Sequence, residues 1–365
     1  MPKIAPKQKG EFRIWIHAVS LGETKAVIPL MKMLEAKGTI FFSSTTETGQ
    51  MEGRKECKYC FFLPLDFSWV MKRLVKAVQP DLFILVETDF WYNLLTELNK
   101  SGAKIALVNG KVSKTSYNRF KKNPWFAKAL FAPIDLFSLQ SDTDQKRFLN
   151  LGVPKEKLHV TGNLKFDSPI TFSTIQGLHF PNGNRIVTVA LTHNNEEELI
   201  LNELQKIQNL FILLAPRHPE RFNTVAKLLK KKNIPFRTLL EKGPETLILV
   251  NQMGIMDNCY AHSKVAILGG SFVSHVGGHN IYEPARHGIP VLYGPFMYNQ
   301  ESLMNSLKKY PIGQEVSLSN LASTLEALLA YPNTLSIKTL KSEVEGATSR
   351  SLSLLDLLRT QSDRK

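Results

Sequence analysis

Short apolar runs alternate with amphipathic stretches along most of the chain. Apolar runs of about four to eight residues are typical of strands that are buried on both faces of a parallel sheet. The intervening segments TKAVIPLMKMLEAKG and FWYNLLTELNKSG show helical periodicity and end at glycine, as C-capped helices do. The runs in the first half are RIWIHAVS (13–20), TIFFSS (39–44), DLFILVE (81–87), KIALVNG (104–110) and IDLFSLQ (134–140). This alternation predicts the βα units of a doubly wound parallel sheet.

A segment rich in Ser, Pro, Gly and Asn interrupts the alternation at about 166–185, and a second set of runs follows it: RIVTVAL, FILLAP, TLILVN, KVAILGG and IPVLYG. We therefore predict an α/β fold of two Rossmann-like, doubly wound domains. The predicted parts are an N-terminal domain at 1–168, a linker at 169–185, a C-terminal domain at 186–345 and a final helix at 346–365 that could return to the first domain. Two such sheets side by side would leave a cleft at the carboxyl ends of their strands, where open α/β sheets bind ligands.

Carboxylates follow two of the predicted strands in the first half. Ser20 and Glu23, in SLGE, match the spacing of a capping box, and Glu23 could equally accept a proton from a substrate hydroxyl. Glu87 and Asp89, in LVETDFW, come just after another strand, where they could cap a helix or take part in acid–base chemistry. The sequence alone leaves both alternatives open.

A glycine-rich segment, GGSFVSHVGGHNIYEPARHGIPVLYGP (269–295), follows a predicted strand and leads into a predicted helix at about 280–287. Glycines such as Gly277 and Gly278 allow the backbone to approach an anion near a helix N-terminus. We predict Asn280 as the N-cap residue, whereas Glu283 either stabilises the helix dipole or accepts hydrogen bonds from a ribose. The segment contains neither G-x-G-x-x-G nor a P-loop motif.

Side chains suited to binding phosphate follow neighbouring strands of the second half. Arg217 and His218 lie in PRHPERF, and Thr192 and His193 lie in ALTHNNEEE. Lys165, in TGNLKFD, comes shortly before the predicted linker. These positions indicate a site for an anionic ligand.

The chain is strongly basic, with 46 Lys and Arg against 32 Asp and Glu and a net charge of +14. Such a charge favours polyanionic partners. The stretch KTSYNRFKKNPWFAKALFA (114–132) interleaves basic and aromatic residues, and its candidate contact residues are Lys121, Lys122, Trp125 and Lys128. It could be a solvated helix, a nucleic-acid groove or a surface for anionic lipid headgroups.

The cysteine and aspartate patterns do not strongly predict disulfide bonds or a metal site. The cysteines, Cys57, Cys60 and Cys259, are too few for a disulfide framework, which favours a reducing compartment. The segment SDTD is explained by a helix N-terminus, with Ser141 as N-cap and Asp142 and Asp144 in the first turn. The alternative for the two carboxylates is a Mg²⁺ site. No apolar run approaches the roughly 18 residues of a membrane span.

Several segments occur in the order seen in one family: HAVSLGE, VETDFW, VNGKVS, TGNLKFD, APRHPERF and GGSF…GGHNIYEPARHGIPVLYGP. In this order the chain resembles the 3-deoxy-D-manno-octulosonic acid (Kdo) transferases of lipopolysaccharide synthesis, over residues 13 to about 300. The resemblance implies a GT-B fold and an inverting transfer of Kdo from CMP-Kdo to a lipid A precursor, with no metal ion or other cofactor. It also implies that Glu23 is the catalytic base and Glu87 the second essential glutamate.

By the same resemblance, the nucleotide-binding part comprises Arg217, His218 and the 269–283 loop with Asn280 and Glu283. The partners expected are CMP-Kdo, the lipid A precursor and an anionic membrane surface, with no nucleic acid. The expected location is the cytoplasmic face of the inner membrane, as a peripheral protein. The alternatives are a GT-B enzyme that uses a UDP-sugar on another lipid acceptor, and a basic nucleic-acid-binding protein.

The chain departs from the family pattern in three places. Asp89 stands where the family often has glutamate, and the family's His-x-Gly-Glu reads His193, Asn194, Asn195, Glu196 here. Many members also begin with an apolar anchoring segment, whereas this sequence starts almost at its first strand.

Overall fold

The computed structural model describes residues 4–176, 178–180, 185–300, 303–304, 312–330 and 344–360. The chain divides into two compact units, Met1–Ser168 with Ser342–Lys365, and Pro169–Lys341. The division falls at the Ser-, Pro- and Gly-rich segment, and the chain returns to the first unit near its C-terminus.

In the described part of the first unit, a sheet of seven parallel strands has the order β3-β2-β1-β4-β5-β6-β7. The strands are β1 (Arg13–His17), β2 (Thr39–Ser44), β3 (Tyr59–Phe62), β4 (Leu82–Val86), β5 (Lys104–Gly110), β6 (Leu136–Leu139) and β7 (Leu158–Val160). The strand order reverses between β1 and β4, which are neighbours in the sheet. Open α/β sheets bind ligands beyond the carboxyl ends of their strands at such a switch point.

Helices connect successive strands of this sheet. They are α1 (Leu21–Glu35), α2 (Glu47–Glu56), α3 (Ser68–Val78), α4 (Tyr92–Lys100), α5 (Lys114–Lys122), α6 (Pro124–Phe131) and α7 (Asp142–Asn150), with short 3-10 turns at Lys155–Lys157 and Leu164–Asp167. Side-chain caps begin several of them: Ser20, Thr46, Ser113 and Ser141 each accept a backbone N–H of the first turn. The buried strands pack between two layers of apolar side chains, one on each face of the sheet.

The described part of the second unit contains a similar parallel sheet, in the order β10-β11-β9-β8-β12-β13-β14. Its strands are β8 (Ile186–Thr192), β9 (Phe211–Pro216), β10 (Phe236–Thr238), β11 (Leu247–Leu249), β12 (Val265–Leu268), β13 (Val291–Tyr293) and β14 (Gly313–Glu315). Its helices are α8 (Glu196–Leu204), α9 (Phe222–Lys231), α10 (Met256–His262), α11 (Tyr282–Ala285) and α12 (Leu318–Ala330), with 3-10 turns at Pro219–Arg221 and Tyr298–Gln300. The switch point of this sheet lies between β8 and β12.

The C-terminal helix, α13 (Ala347–Thr360), belongs to the first unit. Its N-terminus is capped from a distance, because the carboxylate of Asp167 accepts the backbone N–H groups of Gly346 and Thr348. Ser351 shares a hydrogen bond with Ser138 on β6 at 2.8 Å. Leu355 is buried in the same apolar cluster as α1, so the helix completes one face of the first sheet.

The fold class predicted from the sequence is confirmed: two Rossmann-like α/β units, each with a doubly wound parallel sheet. Each predicted run contains a strand, but four short strands were not predicted: β3, β7, β10 and β14. They are the outermost strands of the two sheets, and they have only three or four residues. Outer strands are partly exposed, so they carry no continuous apolar run for a sequence pattern to detect.

The helix predicted at 280–287 is shorter than expected, and its N-cap differs. It begins at Tyr282 with Ile281 in the cap position, so the prediction of Asn280 as N-cap is wrong by one residue. The Asn280 side-chain oxygen still accepts the Tyr282 backbone N–H at 3.0 Å. An asparagine side chain that bonds the backbone two residues ahead makes an Asx turn, which leads into the helix here in place of a true cap.

Candidate active site

Glu23 lies in the first turn of α1, directly after β1 at the switch point of the first sheet. Ser20 Oγ accepts the Glu23 backbone N–H at 3.3 Å and donates to Glu23 Oε1 at 2.9 Å. The Val19 backbone N–H donates to Oε2 at 2.8 Å. Ser20 therefore caps the helix as in a capping box, but the Glu23 carboxylate reaches back to the Val19 N–H in place of the Ser20 N–H. Each carboxylate oxygen can accept more than one hydrogen bond, so Glu23 retains acceptor capacity for a ligand.

The pKa of Glu23 is raised, first by burial and then by the charge of Glu87, with a smaller effect of Asp89. Hydrogen bonds from Val19 and Ser20 act in the opposite direction. Burial and then the Glu87 charge raise the pKa of Asp89 as well. A carboxylate with a raised pKa is a stronger base than an ordinary glutamate, which suits proton abstraction from a hydroxyl.

Glu87 follows β4, the strand that pairs with β1, and its side chain is almost fully buried. Two ammonium groups contact it: Lys165 Nζ lies 2.8 Å from Oε1, and Lys111 Nζ lies 2.6 Å from Oε2. Burial alone would raise the pKa of Glu87, but Lys165 and Lys111 together lower it, so the group is ionised at neutral pH. About a third of each lysine side chain is exposed, so the pair of cations is held at the edge of the site.

The backbone at this point adopts an uncommon conformation. Glu87 has φ of 63° and Asn109, at the end of β5, has φ of 56°. Asn109 donates to Glu87 Oε1 at 3.4 Å and accepts the Leu164 backbone N–H at 3.0 Å. Left-handed non-glycine residues concentrate at functional sites, where the surrounding hydrogen bonds hold them. The sequence analysis did not single out Lys111 or Asn109, although VNGKVS was among the quoted motifs.

In the second unit, Glu196 organises the loops at the switch point. It is the first residue of α8 and is fully buried. Its Oε2 accepts the backbone N–H groups of His193 at 2.8 Å and Gly270 at 2.6 Å, and its Oε1 accepts that of Phe272 at 2.9 Å. The carboxylate thus joins the loop after β8 to the glycine-rich loop after β12. In the sequence, Glu196 stands out only as the last residue of the His-x-Gly-Glu pattern.

Two histidines meet between these loops. The Nε2 atoms of His193 and His279 are 2.9 Å apart, and the rings stack with centroids 5.1 Å apart and planes at 16°. His218 approaches edge-on, with its ring centroid 5.4 Å from that of His193. Burial, followed by the neighbouring histidine and arginine side chains, lowers the pKa of both paired histidines to about 4.

Arg217 follows β9, and its backbone N–H donates to the Thr192 carbonyl at 3.0 Å. Among the residues that the structure describes, the Arg217 guanidinium makes no hydrogen bond or ion pair, so it is available to an anion. The Thr192 hydroxyl, in contrast, is fully buried and donates to Glu197 Oε1 at 2.9 Å, so we leave this side chain out of the proposed ligand contacts. Arg221 binds both oxygens of the same Glu197 carboxylate.

Gly277 and Gly278 have φ of 87° and 83°, and both are needed for packing within the unit. A Cβ atom on Gly278 would lie 2.3 Å from Met297 Sδ, and one on Gly277 would lie 2.7 Å from Asn299 Nδ2. The Gly278 N–H donates to the Gly270 carbonyl at 2.8 Å, which closes the loop on itself. The glycines therefore shape the loop whether or not an anion lies against it.

The remaining predicted residues of the second unit lie at the start of α11. Asn280 Nδ2 donates to Glu283 Oε1 at 3.4 Å, and Glu283 stands in the first turn of the helix. Lys165 differs from the rest of the predicted nucleotide-binding set, because the structure places it in the first unit beside Glu87.

The SDTD segment forms the N-terminus of α7. Ser141 accepts the Asp144 backbone N–H at 3.2 Å, and Asp144 Oδ1 accepts the Val112 backbone N–H at 3.0 Å. Ser141 is thus the N-cap, and hydrogen bonds from Val112 and Ser141 satisfy the buried Asp144 carboxylate. Within the described residues, no group of three or more His, Cys, Asp or Glu side chains is arranged to hold a metal ion.

The basic and aromatic stretch forms α5 and α6. Lys121, Lys122 and Lys128 are exposed, and Trp125 is 73% exposed. Neighbouring aromatic residues of the same stretch, Phe120 and Phe126, are instead partly buried against the core of the first unit. No helix in the described part of the chain has the length and apolar character needed to span a membrane.

Comparison with known proteins identifies the family. The family described as 3-deoxy-D-manno-octulosonic-acid transferase (kdotransferase) matches residues 2–168. The 3-deoxy-D-manno-octulosonic acid transferase of Haemophilus influenzae is 35% identical over 337 residues, which cover 87% of this chain and 79% of that protein. The enzyme of the same name from Chlamydophila psittaci is 31% identical over 335 residues, 87% of this chain and 77% of that protein. The chain belongs to the Kdo transferase family.

A Kdo transferase is a glycosyltransferase, and solved structures agree with this at the level of the fold. The glycotransferase of kitacinnamycin matches with a TM-score of 0.62 at 13% identity, covering 96% of this chain and all of the other. The UDP-GlcNAc 2-epimerase from Neisseria meningitidis matches with a TM-score of 0.63 at 12% identity over 96% of this chain and all of the other. These likenesses support the GT-B architecture predicted from the sequence.

The structure explains one departure of this Kdo transferase from its family pattern. Asn195 stands where the pattern His-x-Gly-Glu has glycine, and it adopts φ of 70° and ψ of −14°. Asparagine tolerates this left-handed conformation better than most other residues. The substitution therefore preserves the turn that brings Glu196 under the glycine-rich loop.

Proposed function

We propose that this protein is an inverting glycosyltransferase that moves Kdo from CMP-Kdo to a lipid A precursor, with Glu23 as general base. The observation that carries the proposal is the environment of Glu23: a partly buried carboxylate with a raised pKa, at the switch point of the first sheet. Membership of the Kdo transferase family supplies the transferred sugar. The donor nucleotide, the acceptor and the stereochemistry come from the family resemblance of the motifs.

The acceptor hydroxyl gives its proton to the Glu23 carboxylate while its oxygen forms a bond to the anomeric carbon of Kdo. On the opposite face, the bond from that carbon to the phosphate oxygen breaks, and CMP leaves with the electron pair. A positioned general base contributes about 10²–10⁴-fold to such a step.

Glu87 has a different role in this proposal, because its lowered pKa makes it a poor base. It holds Lys111 and Lys165, whose ammonium groups lie 2.6 Å and 2.8 Å from its oxygens. Two lysines against one glutamate leave one positive charge for an anionic group of a substrate. Glu87 also raises the pKa of Glu23 through its own charge, so it contributes to the strength of the base.

The second unit binds CMP in this proposal. Arg217, His218 and the glycine-rich loop supply the cationic and backbone groups that a phosphate needs, and Asn280 with Glu283 offers hydrogen bonds to the ribose. Because the phosphate is the leaving group, these charges also stabilise the charge that develops on it. No step of the proposal uses a metal ion or another cofactor.

We also propose that the first unit rests on an anionic membrane surface, at the cytoplasmic face of the inner membrane. The lysines of α5 and α6 and an exposed apolar patch support this membrane contact. The patch consists of Trp125, Leu65, Phe67, Trp69 and Tyr92. The patch is connected, because the Asp66 carboxylate accepts the backbone N–H groups of Asn93 and Leu94, beside Tyr92. The Tyr92 ring lies 6.0 Å from that of Phe126, and the Phe126 ring lies 5.9 Å from that of Trp125.

A donor and acceptor assay tests the proposed function. The protein is incubated with CMP-Kdo and a tetraacylated lipid A precursor, and product masses are recorded in buffer with and without EDTA. We expect addition of Kdo in both buffers. Turnover with UDP-sugars and none with CMP-Kdo would instead establish the alternative GT-B activity. Salt-dependent binding of RNA or DNA that survives Glu23→Ala and does not compete with CMP would favour the nucleic-acid alternative.

A further inference from the structure

The paired histidines of the second unit share a single hydrogen-bonding proton. A contact of 2.9 Å between His193 Nε2 and His279 Nε2 requires one nitrogen to donate and the other to accept. In the neutral pair, the donor ring therefore carries its proton on Nε2, and the acceptor ring carries its proton on Nδ1.

This arrangement leaves room for one additional proton. A proton added at the unprotonated Nδ1 of the donor ring makes that ring an imidazolium that still donates to its partner. A second proton would have to enter at Nε2 of the acceptor ring and would break the contact. The pair therefore takes up one proton at most while it remains intact.

Basic side chains surround the pair. Arg217, His218 and Arg221 face it from the loop and turn after β9, and His275 faces it from the glycine-rich loop. Of the nearby acids, Glu196 binds three backbone N–H groups, Glu197 is paired with Arg221, and Glu220, 3.9 Å from His218, is exposed. Within the described residues, the guanidinium of Arg217 is thus an unpaired positive charge beside two neutral, half-buried imidazoles, and it favours an anion there.

We propose that the His193–His279 pair takes up one proton when the anionic phosphate of the nucleotide binds beside it. The inference rests on the proposed function, in which this unit binds CMP. An anion stabilises the imidazolium and raises its pKa, and by linkage the protonated pair strengthens the binding of the anion. In the free protein the pKa of both histidines is about 4, so the pair is neutral near pH 7 until the anion arrives.

Two consequences follow. First, the affinity for the phosphate rises as the pH falls from the pKa of the bound pair towards the free value of about 4, by up to about tenfold per pH unit. Second, the imidazolium lies where the leaving CMP gains a negative charge during transfer. The pair is thus a further positioning element for the leaving group, distinct from the base on the first unit.

Calorimetry in buffers of different ionisation enthalpy measures the proton uptake directly. The probe is the methyl ester of CMP, a phosphodiester that does not itself titrate near neutral pH, and cytidine serves as the ligand without phosphate. If the bound ester raises the pKa of the histidine pair to at least 6.5, the ordinary value for histidine, the protein should take up more than about half a proton at pH 6 and less at pH 8. Cytidine should bind without uptake.

Variants locate the proton. His193→Gln and His279→Gln should each reduce the uptake at pH 6 to below about 0.2 protons and flatten the pH dependence of the affinity. The matched control His262→Gln, at the end of α10, should retain the uptake. The proposal is overturned when the wild-type protein binds the ester without uptake, or when both pair variants retain it. Binding without uptake leaves the proposed CMP site standing, whereas a protein that binds neither CMP nor its ester refutes that site as well.

Discussion

The carboxylate of Glu196 accepts the backbone N–H of Gly270 at 2.6 Å, across a sequence separation of 74 residues. The same side chain accepts two further backbone N–H groups, those of His193 and Phe272. One buried glutamate therefore holds both loops that flank the switch point of the second sheet. Its removal should affect the stability of this unit and its ligand site together.

We expect Glu196→Gln to destabilise the protein, because the amide retains a single acceptor oxygen for three buried N–H donors. An unsatisfied buried donor costs about 1–3 kcal/mol, so the melting temperature should fall by about 2–10 °C. Thermal unfolding measures the loss, and Glu198→Gln, on the exposed side of the same helix, is the matched control. A melting temperature equal to that of the control variant would show that the three bonds contribute little.

Glu23→Gln should leave the fold intact, because glutamine also serves in a capping box. Turnover should fall by about two orders of magnitude or more, as expected for the loss of a general base. The rate of Kdo transfer is measured with saturating substrates, with Glu35→Gln at the other end of α1 as control. Near-wild-type turnover in a well-folded variant would reduce Glu23 to its capping role.

Arg217→Ala and Glu283→Ala should each weaken the binding of CMP. The loss of a charge-assisted hydrogen bond costs about 1.5–3 kcal/mol, which corresponds to about 10–200-fold in Kd. Calorimetric titration with CMP gives the dissociation constants, and Lys230→Ala, on the exposed face of α9, controls for the change of net charge caused by Arg217→Ala. Unchanged affinity in both variants would place the nucleotide elsewhere.

Replacing Lys121, Lys122 and Lys128 with glutamate should weaken binding to anionic vesicles and raise the KM for the lipid acceptor. Each lysine near an anionic surface contributes about 1 kcal/mol, and this contribution decreases with salt. The KM for CMP-Kdo should stay the same. Co-sedimentation with anionic and neutral vesicles provides the binding measurement.

A second triple variant, with glutamate at Lys227, Lys230 and Lys231 on the exposed face of α9, produces the same change in net charge in the other unit. It should retain vesicle binding. Equal losses in the two triple variants would indicate a general effect of net charge, and no loss in either would make α5 and α6 ordinary solvated helices.

His17, at the end of β1, should make the stability of the protein depend on pH. Burial lowers its pKa from 6.5 to about 4 in the folded state. Above pH 6.5 both the folded and the unfolded states carry a neutral imidazole, whereas between pH 6.5 and 4 only the unfolded chain gains the proton. The free energy of unfolding should therefore fall with decreasing pH, by up to about 1.4 kcal/mol per pH unit for one such group.

Denaturant unfolding of wild type and His17→Gln from pH 7 to pH 4 isolates this group. The glutamine variant is less stable at pH 7, because it loses the contact of His17 Nδ1 with Ser43, and its disadvantage should shrink as the pH falls. A difference in unfolding free energy that stays constant over this range would contradict the predicted titration.

The strands buried on both faces could be predicted from the sequence, because each shows as an apolar run between turn residues. The capping serines and the glycine-rich loop were also visible, since caps and left-handed positions restrict which residues fit. The family motifs in turn identified Glu23, Glu87 and Arg217 as candidates. All of these are local signals, which the order of residues along the chain carries by itself.

Tertiary structure decided which of these groups meet. Lys165 contacts Glu87, because β4 and the segment after β7 end at the same edge of the first sheet. His193 and His279 are 86 residues apart and contact each other because β8 and β12 are neighbours in the second. Strand order in a doubly wound sheet differs from chain order, so the partners and pKa values of these groups depend on contacts that no local pattern records.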